Sequence, residues 1–151
     1  MRRSDKEITE RSEMDDILGR ASICHLGLAD GGKCYVVPVN YGYDGCCLYV
    51  HSAREGRKID ILRADSRVSF TIYADQRLQE SDKACSFTMK YESVMGSGLA
   101  TLIDDPAAKV KALDVIMRHY SKGEFSYDPA RVDKTVIIKI EIQSLTGKKS
   151  L

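Results

Sequence analysis

The sequence predicts a mainly β fold, a small closed or split antiparallel β-barrel of six strands with peripheral helices. Three observations lead there. The extended runs cluster instead of alternating with helices, the first three are joined by short glycine turns, and the long run 91–103 carries glycines in its interior. Parallel neighbours would need long crossovers, so the first three strands read as an antiparallel meander. With 151 residues, 43% hydrophobic and 30% charged, the chain reads as one domain over 1–151. A chain of this length buries roughly 68–70% of its unfolded surface, so it needs no disulfide or metal staple.

In ERSEMDDILGRA, Met14, Ile17, Leu18 and Ala21 fall on one helical face. Ser12 suits the N-cap with Asp15 as its capping-box partner, Ser4 with Glu7 is an earlier candidate, and Arg20 suits the negative pole. From Ser22 the pattern becomes strand-like: SICHLGLA, the turn Asp30-Gly31-Gly32, then CYVVPVNYGY. Asp44-Gly45 is a second hairpin signal, leading into CCLYVHSA. GRKIDILRA is a short helix with Ile59 and Leu62 on one side and Ile61 flanking.

RVSFTIYA alternates Val68, Phe70 and Ile72 with Ser69, Thr71 and Tyr73, and residues 75–86 are polar enough to read as a loop. YESVMGSGLATLI is a long strand in which Gly96 and Gly98 imply a bend or bulge. Asp104 or Asp105 caps a helix with Pro106 in its first turn and Val110, Leu113, Ile116 and Met117 on its apolar face. KGEFSYDPAR is turn-rich, and TVIIKIEIQSL is the last strand.

Lys and Arg number 23 against 22 Asp and Glu, which argues against nucleic acid as the partner. Five cysteines, an odd count with no Cys-x-x-Cys, read as reduced thiols. The amino terminus has no apolar signal region, and no run approaches the ~20 apolar residues of a membrane helix. A soluble cytoplasmic protein with no membrane partner is expected.

No phosphate-loop, His-Glu-x-x-His or Gly-x-Ser-x-Gly motif is present. Gly96-Ser97-Gly98 opens like a dinucleotide fingerprint but lacks its third glycine. His25, His51 and His119 lie far apart, and Cys24 and His25 would face opposite sides of one strand, so no metal site is expected. Cys46 and Cys47 have no base beside them in sequence and read as structural.

Residues 35–60 carry the chemistry. Arg57 and Lys58 open a helix after Gly56, so two cations face the helix's own positive pole. An anion bound there removes the conflict, with backbone N–H groups and both side chains donating to it. The alternative is that both side chains simply extend into solvent. Pro38 interrupts a strand and cannot donate to its ladder, which places it at an edge or against a ligand. Asn40, on the same side, offers a donor and an acceptor suited to an imide edge. His51 and Ser52 end the strand just before the helix. A flat ring along the strand with its phosphate at the helix start is the geometry of flavin mononucleotide (FMN).

The pattern YVVPVNYGYDG…LYVHSAREGRK, followed by MKYESVMGSGLA and IEIQSLTGKKS, resembles the pyridoxamine 5′-phosphate oxidase-like, FMN-binding split-barrel superfamily. Within it the pattern is most similar to the 5-nitroimidazole antibiotic resistance (Nim) proteins. The resemblance runs from about Ile8 to Ser150 and is most specific from Val36 to Lys58. It implies a homodimer with two FMN sites at the interface, each built from both chains. Val36, Val37, Pro38, Val39, Asn40 and Tyr41 would contact the ring and ribityl chain. His51 and Ser52 would line the site, and Arg57 and Lys58 would hold the phosphate. Ser93, where the oxidases carry a longer side chain, would approach the phosphate, and the tail with Thr146, Gly147 and Lys148 could approach the cofactor too.

His51 matches the histidine implicated in Nim chemistry, and an imidazole beside a flavin can donate a proton to a nitro group being reduced. The plainer alternative is a strand-end histidine bonded to a carbonyl. The expected function is an FMN-dependent reductase of nitroimidazoles or similar small electron-poor aromatics. One alternative is a flavin- or haem-binding module without turnover, with His25 or His119 as an axial ligand. Another is a pyridoxamine phosphate oxidase-like oxidase, for which the resemblance implies a late tryptophan that this chain lacks.

Overall fold

A computed structural model describes residues 3–150. In chain order the elements are β1 (Glu7–Ile8), α1 (Arg11–Arg20), β2 (Cys24–Asp30), β3 (Lys33–Val39), β4 (Gly42–Tyr43) and β5 (Cys47–Ala53). They continue with α2 (Arg57–Ala64), β6 (Arg67–Gln79), β7 (Thr88–Ile103), α3 (Pro106–Tyr120), α4 (Pro129–Asp133) and β8 (Thr135–Ser150). The eight strands form one antiparallel sheet in the order β3-β2-β6-β7-β8-β5-β4, with β1 added to β8. Two more strands appear than expected because β1 is a two-residue addition and the run 34–43 is cut in two.

That cut replaces the expected meander. β3 ends at Val39, and two residues later β4 lies at the opposite end of the strand order. Three Cα steps reach at most about 11 Å, so the two edges of the sheet must almost meet there. The sheet therefore rolls into a barrel, pinched at Asn40–Tyr41 and open along its seam between β3 and β5. Tyr41 holds the pinch. Its side chain is fully buried, its hydroxyl donates to the carbonyls of Leu18 (2.7 Å) and Ala21 (3.1 Å), and its N–H donates to the Tyr120 hydroxyl (2.9 Å).

Local chemistry accounts for most elements. Gly31 and Gly32 have φ of 54° and 87°, the mirror-image turn that joins β2 to β3 without splaying them. β6 continues past Ala74 through a bulge at Asp75, φ 54°, and pairs with β7 as far as Gln79. Residues 75–79, expected in a loop, are thus strand: ladder hydrogen bonds are made by backbone, whatever the polarity of the side chains. In β7 the register shifts between Ser97 and Gly98, and a Cβ on Gly98 would overlap the Glu141 carbonyl oxygen.

α1 buries Met14, Ile17 and Leu18 as expected, but Glu10 occupies its N-cap with no side-chain hydrogen bond, and Ser12 is already inside the helix. Asp105 caps α3 by accepting the Ala108 N–H at 2.9 Å. The buried face of α3 is Lys109, Ala112 and Ile116 rather than the full expected stripe. Lys109 can be buried because its ammonium donates to Asp104 (3.2 Å) and to the Thr135 carbonyl (2.9 Å). The segment read as turns contains α4, capped by Asp128. The main core, with Ile17, Leu18, Leu26, Leu48, Ile72, Ile138 and Ile140 fully buried, fills the barrel, and a smaller cluster of Ala112, Ile116 and Ile137 seats α3. Each such side chain is worth roughly 1.5–3 kcal/mol. Among the described residues no helix is long and apolar enough to cross a membrane.

Candidate functional site

α2 follows β5 directly and packs against β2. Gly56, φ 119°, is its N-cap and supplies no side chain. The N–H groups of Ile59 and Asp60 return to the Gly56 carbonyl at 2.9 and 3.1 Å. Those of Arg57 and Lys58 have no acceptor among the described residues. Lys58 itself is half-buried, and among the described residues no carboxylate or carbonyl meets its ammonium. Burial pushes its pKa below the ordinary lysine value. Lys58 is the second residue of α2, so a partly desolvated cation and two free amides belong to one helix start, a combination that favours an anion.

Arg57 is placed differently. Its Nε and Nη2 donate to one oxygen of Asp30, at 3.0 and 2.9 Å, and its guanidinium lies 4.7 Å over the Tyr35 ring. Asp30 is the site residue that sequence reasoning missed. It stands before Gly31-Gly32 and was legible only as a turn former, because its partner lies 27 residues away.

A hollow of about 320 Å³ lies between the hairpin tip and α2, bounded by Asp30, Gly31, Arg57 and Ile61. A larger one, about 550 Å³, opens on the outer face of the sheet against Gly27, Cys34, Val36, Ser69 and Ser97. Ala29 lines both. Along β3, Val36 and Pro38 are exposed, as is Asn40 just beyond, whereas Val37 is half-buried and Val39 is buried in the core. Among the described residues β3 pairs only with β2, so its other edge keeps free backbone groups, and Pro38 sits on that edge strand as expected. From Tyr35 to Asn40 this edge runs roughly 16 Å.

His51 and Ser52 close β5 opposite Ile137 and Val136. They are consecutive in a strand and face opposite sides, so one surface cannot be lined by both. His51 is exposed and Ser52 half-buried.

One expectation is corrected: the Tyr41 side chain is sealed in the core and cannot reach a ring along β3. The Tyr43 hydroxyl donates to Asp15 at 2.6 Å. Ser93 and Lys148 do meet each other, the Ser93 hydroxyl donating to the Lys148 carbonyl at 3.2 Å, but they lie elsewhere. The row through Ser93 lies just beyond Cys24, six residues along β2 from Asp30 and two strands across, which is about 20 Å or more. Within one chain they do not join Arg57 and Lys58.

Of the other histidines, His119 shares a hydrogen bond with the Ala21 carbonyl (2.7 Å) and packs on Tyr41 and Tyr120. His25 stacks on Tyr73 at 5.5 Å, with its Nδ1 buried and unpartnered among the described residues.

The family model for pyridoxamine 5′-phosphate oxidase matches residues 10–149. No curated protein matches the sequence. Among solved structures, a candidate 5-nitroimidazole antibiotic resistance protein from Bacteroides thetaiotaomicron VPI-5482 is 37% identical. It superposes with a TM-score of 0.84, covering 94% of this chain and 85% of that one. The flavocytochrome Anf3 from Azotobacter vinelandii is 21% identical, TM-score 0.86, over 100% of this chain and 72% of that one. An FAD and haem binding protein from Mycobacterium smegmatis is 18% identical, TM-score 0.85, over 96% and 73%. The last two share the fold.

Proposed function

The chain belongs to the pyridoxamine 5′-phosphate oxidase family, and from that premise we propose that it binds FMN and, as a homodimer, reduces nitroimidazoles or similar small electron-poor aromatics. The observation that carries the reading is Lys58: a half-buried ammonium with no partner among the described residues, at a helix start whose first two amides are also free. A phosphate dianion satisfies all three at once. Val36, Pro38 and Asn40, exposed along the free edge of β3, receive the ring and ribityl chain. Val37 and Val39 support that strand from the core side.

FMN bound there would supply the hydride transfer that reduction of a nitro group requires. The protein's own part is to hold and orient. Lys58 and the amides of α2 grip the phosphate, Arg57 joins them on leaving Asp30, and Ser52 approaches from the strand end. His51, exposed on the other face of β5 from Ser52, is the residue we assign to deliver a proton to a nitro oxygen. Ser93 and Lys148, distant within one chain, complete the site from the second copy. The similarity to the B. thetaiotaomicron protein supports the choice of substrate class. The five free thiols suit the cytoplasm, where they stay reduced.

Two measurements test this. Titration with riboflavin 5′-phosphate should quench flavin fluorescence at one equivalent per chain. Anaerobic incubation of the reduced holoprotein with a nitroimidazole should then reoxidise the flavin and consume the drug. Unchanged drug with no reoxidation rejects the activity, and absence of quenching rejects the cofactor.

A further inference from the structure

The turn between β4 and β5 carries two adjacent cysteines, and Asp44 decides how they sit. Its Oδ1 accepts the N–H of Cys46 at 3.0 Å and of Cys47 at 2.8 Å, and its Oδ2 accepts the Tyr49 hydroxyl at 2.8 Å. Neighbours in extended chain point to opposite sides, but here the turn brings the two Sγ atoms to 3.5 Å. Cys46 is exposed and Cys47 buried, so the pair is approached from one side only.

We propose that Cys46 and Cys47 form a dithiol site for trivalent arsenicals. Sulfurs 3.5 Å apart lie within the span that one bridging atom with bonds of about 2.3 Å can subtend. The alternative occupant, zinc, is poorly served. A structural zinc takes four ligands and binds cysteine as thiolate, and the turn offers two sulfurs and a carboxylate already spent. Asp44 Oδ1 takes both amides and the Cys46 thiol (3.2 Å), and Oδ2 takes Tyr49. The bond to Asp44, and the contact with Cys47 after it, push the Cys46 thiol up to about 12, so it stays protonated at neutral pH.

Arsenic needs no prior deprotonation. An arylarsine oxide condenses with two thiols: both S–H bonds and the arsenic–oxygen bond break, two arsenic–sulfur bonds form, and oxygen leaves with both protons as one water. Arsenic remains trivalent, and nothing is oxidised or reduced. Because the sulfurs are held together before binding, the second bond forms at high effective concentration.

The full-length reduced protein, incubated with phenylarsine oxide in excess glutathione and weighed by intact mass spectrometry, should carry one adduct per chain. That adduct should survive removal of the monothiol and be stripped by dimercaptopropanol. Cys46→Ser, an exposed change that leaves the fold intact, should abolish it, whereas Cys34→Ser and Cys85→Ser should retain it. Asp44→Ala keeps both thiols but frees the turn, and should release the arsenical about tenfold faster or more. An adduct that persists in Cys46→Ser, the absence of a glutathione-resistant adduct in the wild type, or stoichiometric zinc taken from a buffered solution would each overturn the proposal.

Discussion

Arg57 and Asp30 meet across the open seam of the barrel, with both guanidinium donors on a single carboxylate oxygen. Asp30 is fixed at the tip of the β2–β3 hairpin, and Arg57 is the first residue of α2. The pair ties together two elements on either side of the seam. It also puts a negative charge beside the cradle proposed for a phosphate, where it competes for Arg57 and repels the incoming dianion.

Asp30→Asn should therefore tighten FMN binding. An exposed pair of this kind is worth about 0.2–1 kcal/mol, so a gain of up to about fivefold is expected, shrinking with added salt. Fluorescence titration at low and high ionic strength measures it. Weaker binding in this variant would mean that Asp30 positions Arg57 and does not compete for it.

Arg57→Ala combined with Lys58→Ala should remove the cofactor while leaving the fold intact, since neither side chain belongs to the core. Lys58→Ala alone should account for most of the loss, because Lys58 has no other partner among the described residues to compensate. Retention of one FMN per chain in the double variant, measured by absorbance after gel filtration, would remove the phosphate assignment.

Val36 on β3, Tyr73 on β6 and Met95 on β7 stand 64%, 42% and 60% exposed on the outward face of the sheet. A homodimer would cover such a surface. Met95→Asp should give a monomer in sedimentation equilibrium and lower FMN affinity at least about tenfold, since each site would lose the contribution of its second chain. A dimer of unchanged strength would place the interface elsewhere.

Gly98→Ala should destabilise strongly. The added methyl would overlap the Glu141 carbonyl oxygen, which is held in the β7–β8 ladder and cannot yield cheaply. A loss of about 1–3 kcal/mol in urea unfolding is expected. Gly31→Ala, where a Cβ meets nothing, should lose less and only through its φ of 54°.

Asp44 gives a pH signature. Burial works to raise its pKa, but the amides of Cys46 and Cys47 and the Tyr49 hydroxyl outweigh it, leaving the carboxyl below its usual range. A carboxyl lowered on folding adds stability above its unfolded pKa of about 3.9, and that stability is lost as pH falls through the folded value. Asp44→Asn should therefore be less stable than the wild type at pH 6, with the difference narrowing toward pH 2 in urea unfolding.

Much of the site was legible before folding because its parts are local. Gly56 followed by two cations at a strand-to-helix step, and Pro38 on an interrupted strand, depend on neighbours in the chain and kept their places. His51 and Ser52 also ended their strand as read, but strand alternation assigns them to opposite faces. Tyr41 looked no different from Tyr43 or Tyr49, and only the packing of α1 and α3 showed that it is the buried pin of the barrel.

Short-range backbone geometry let the amino-acid order alone determine the antiparallel β class, the glycine turns, the capping of α3 and the cationic start of α2. Those features need only a few adjacent φ and ψ angles and one or two side chains. Strand order, the jump from β3 to β4, the reach of Arg57 to Asp30 and the distance from Lys58 to Ser93 were decided by the rolled sheet. They depend on which edges come together once the core is buried, and that is a property of the whole chain's contacts rather than of any segment.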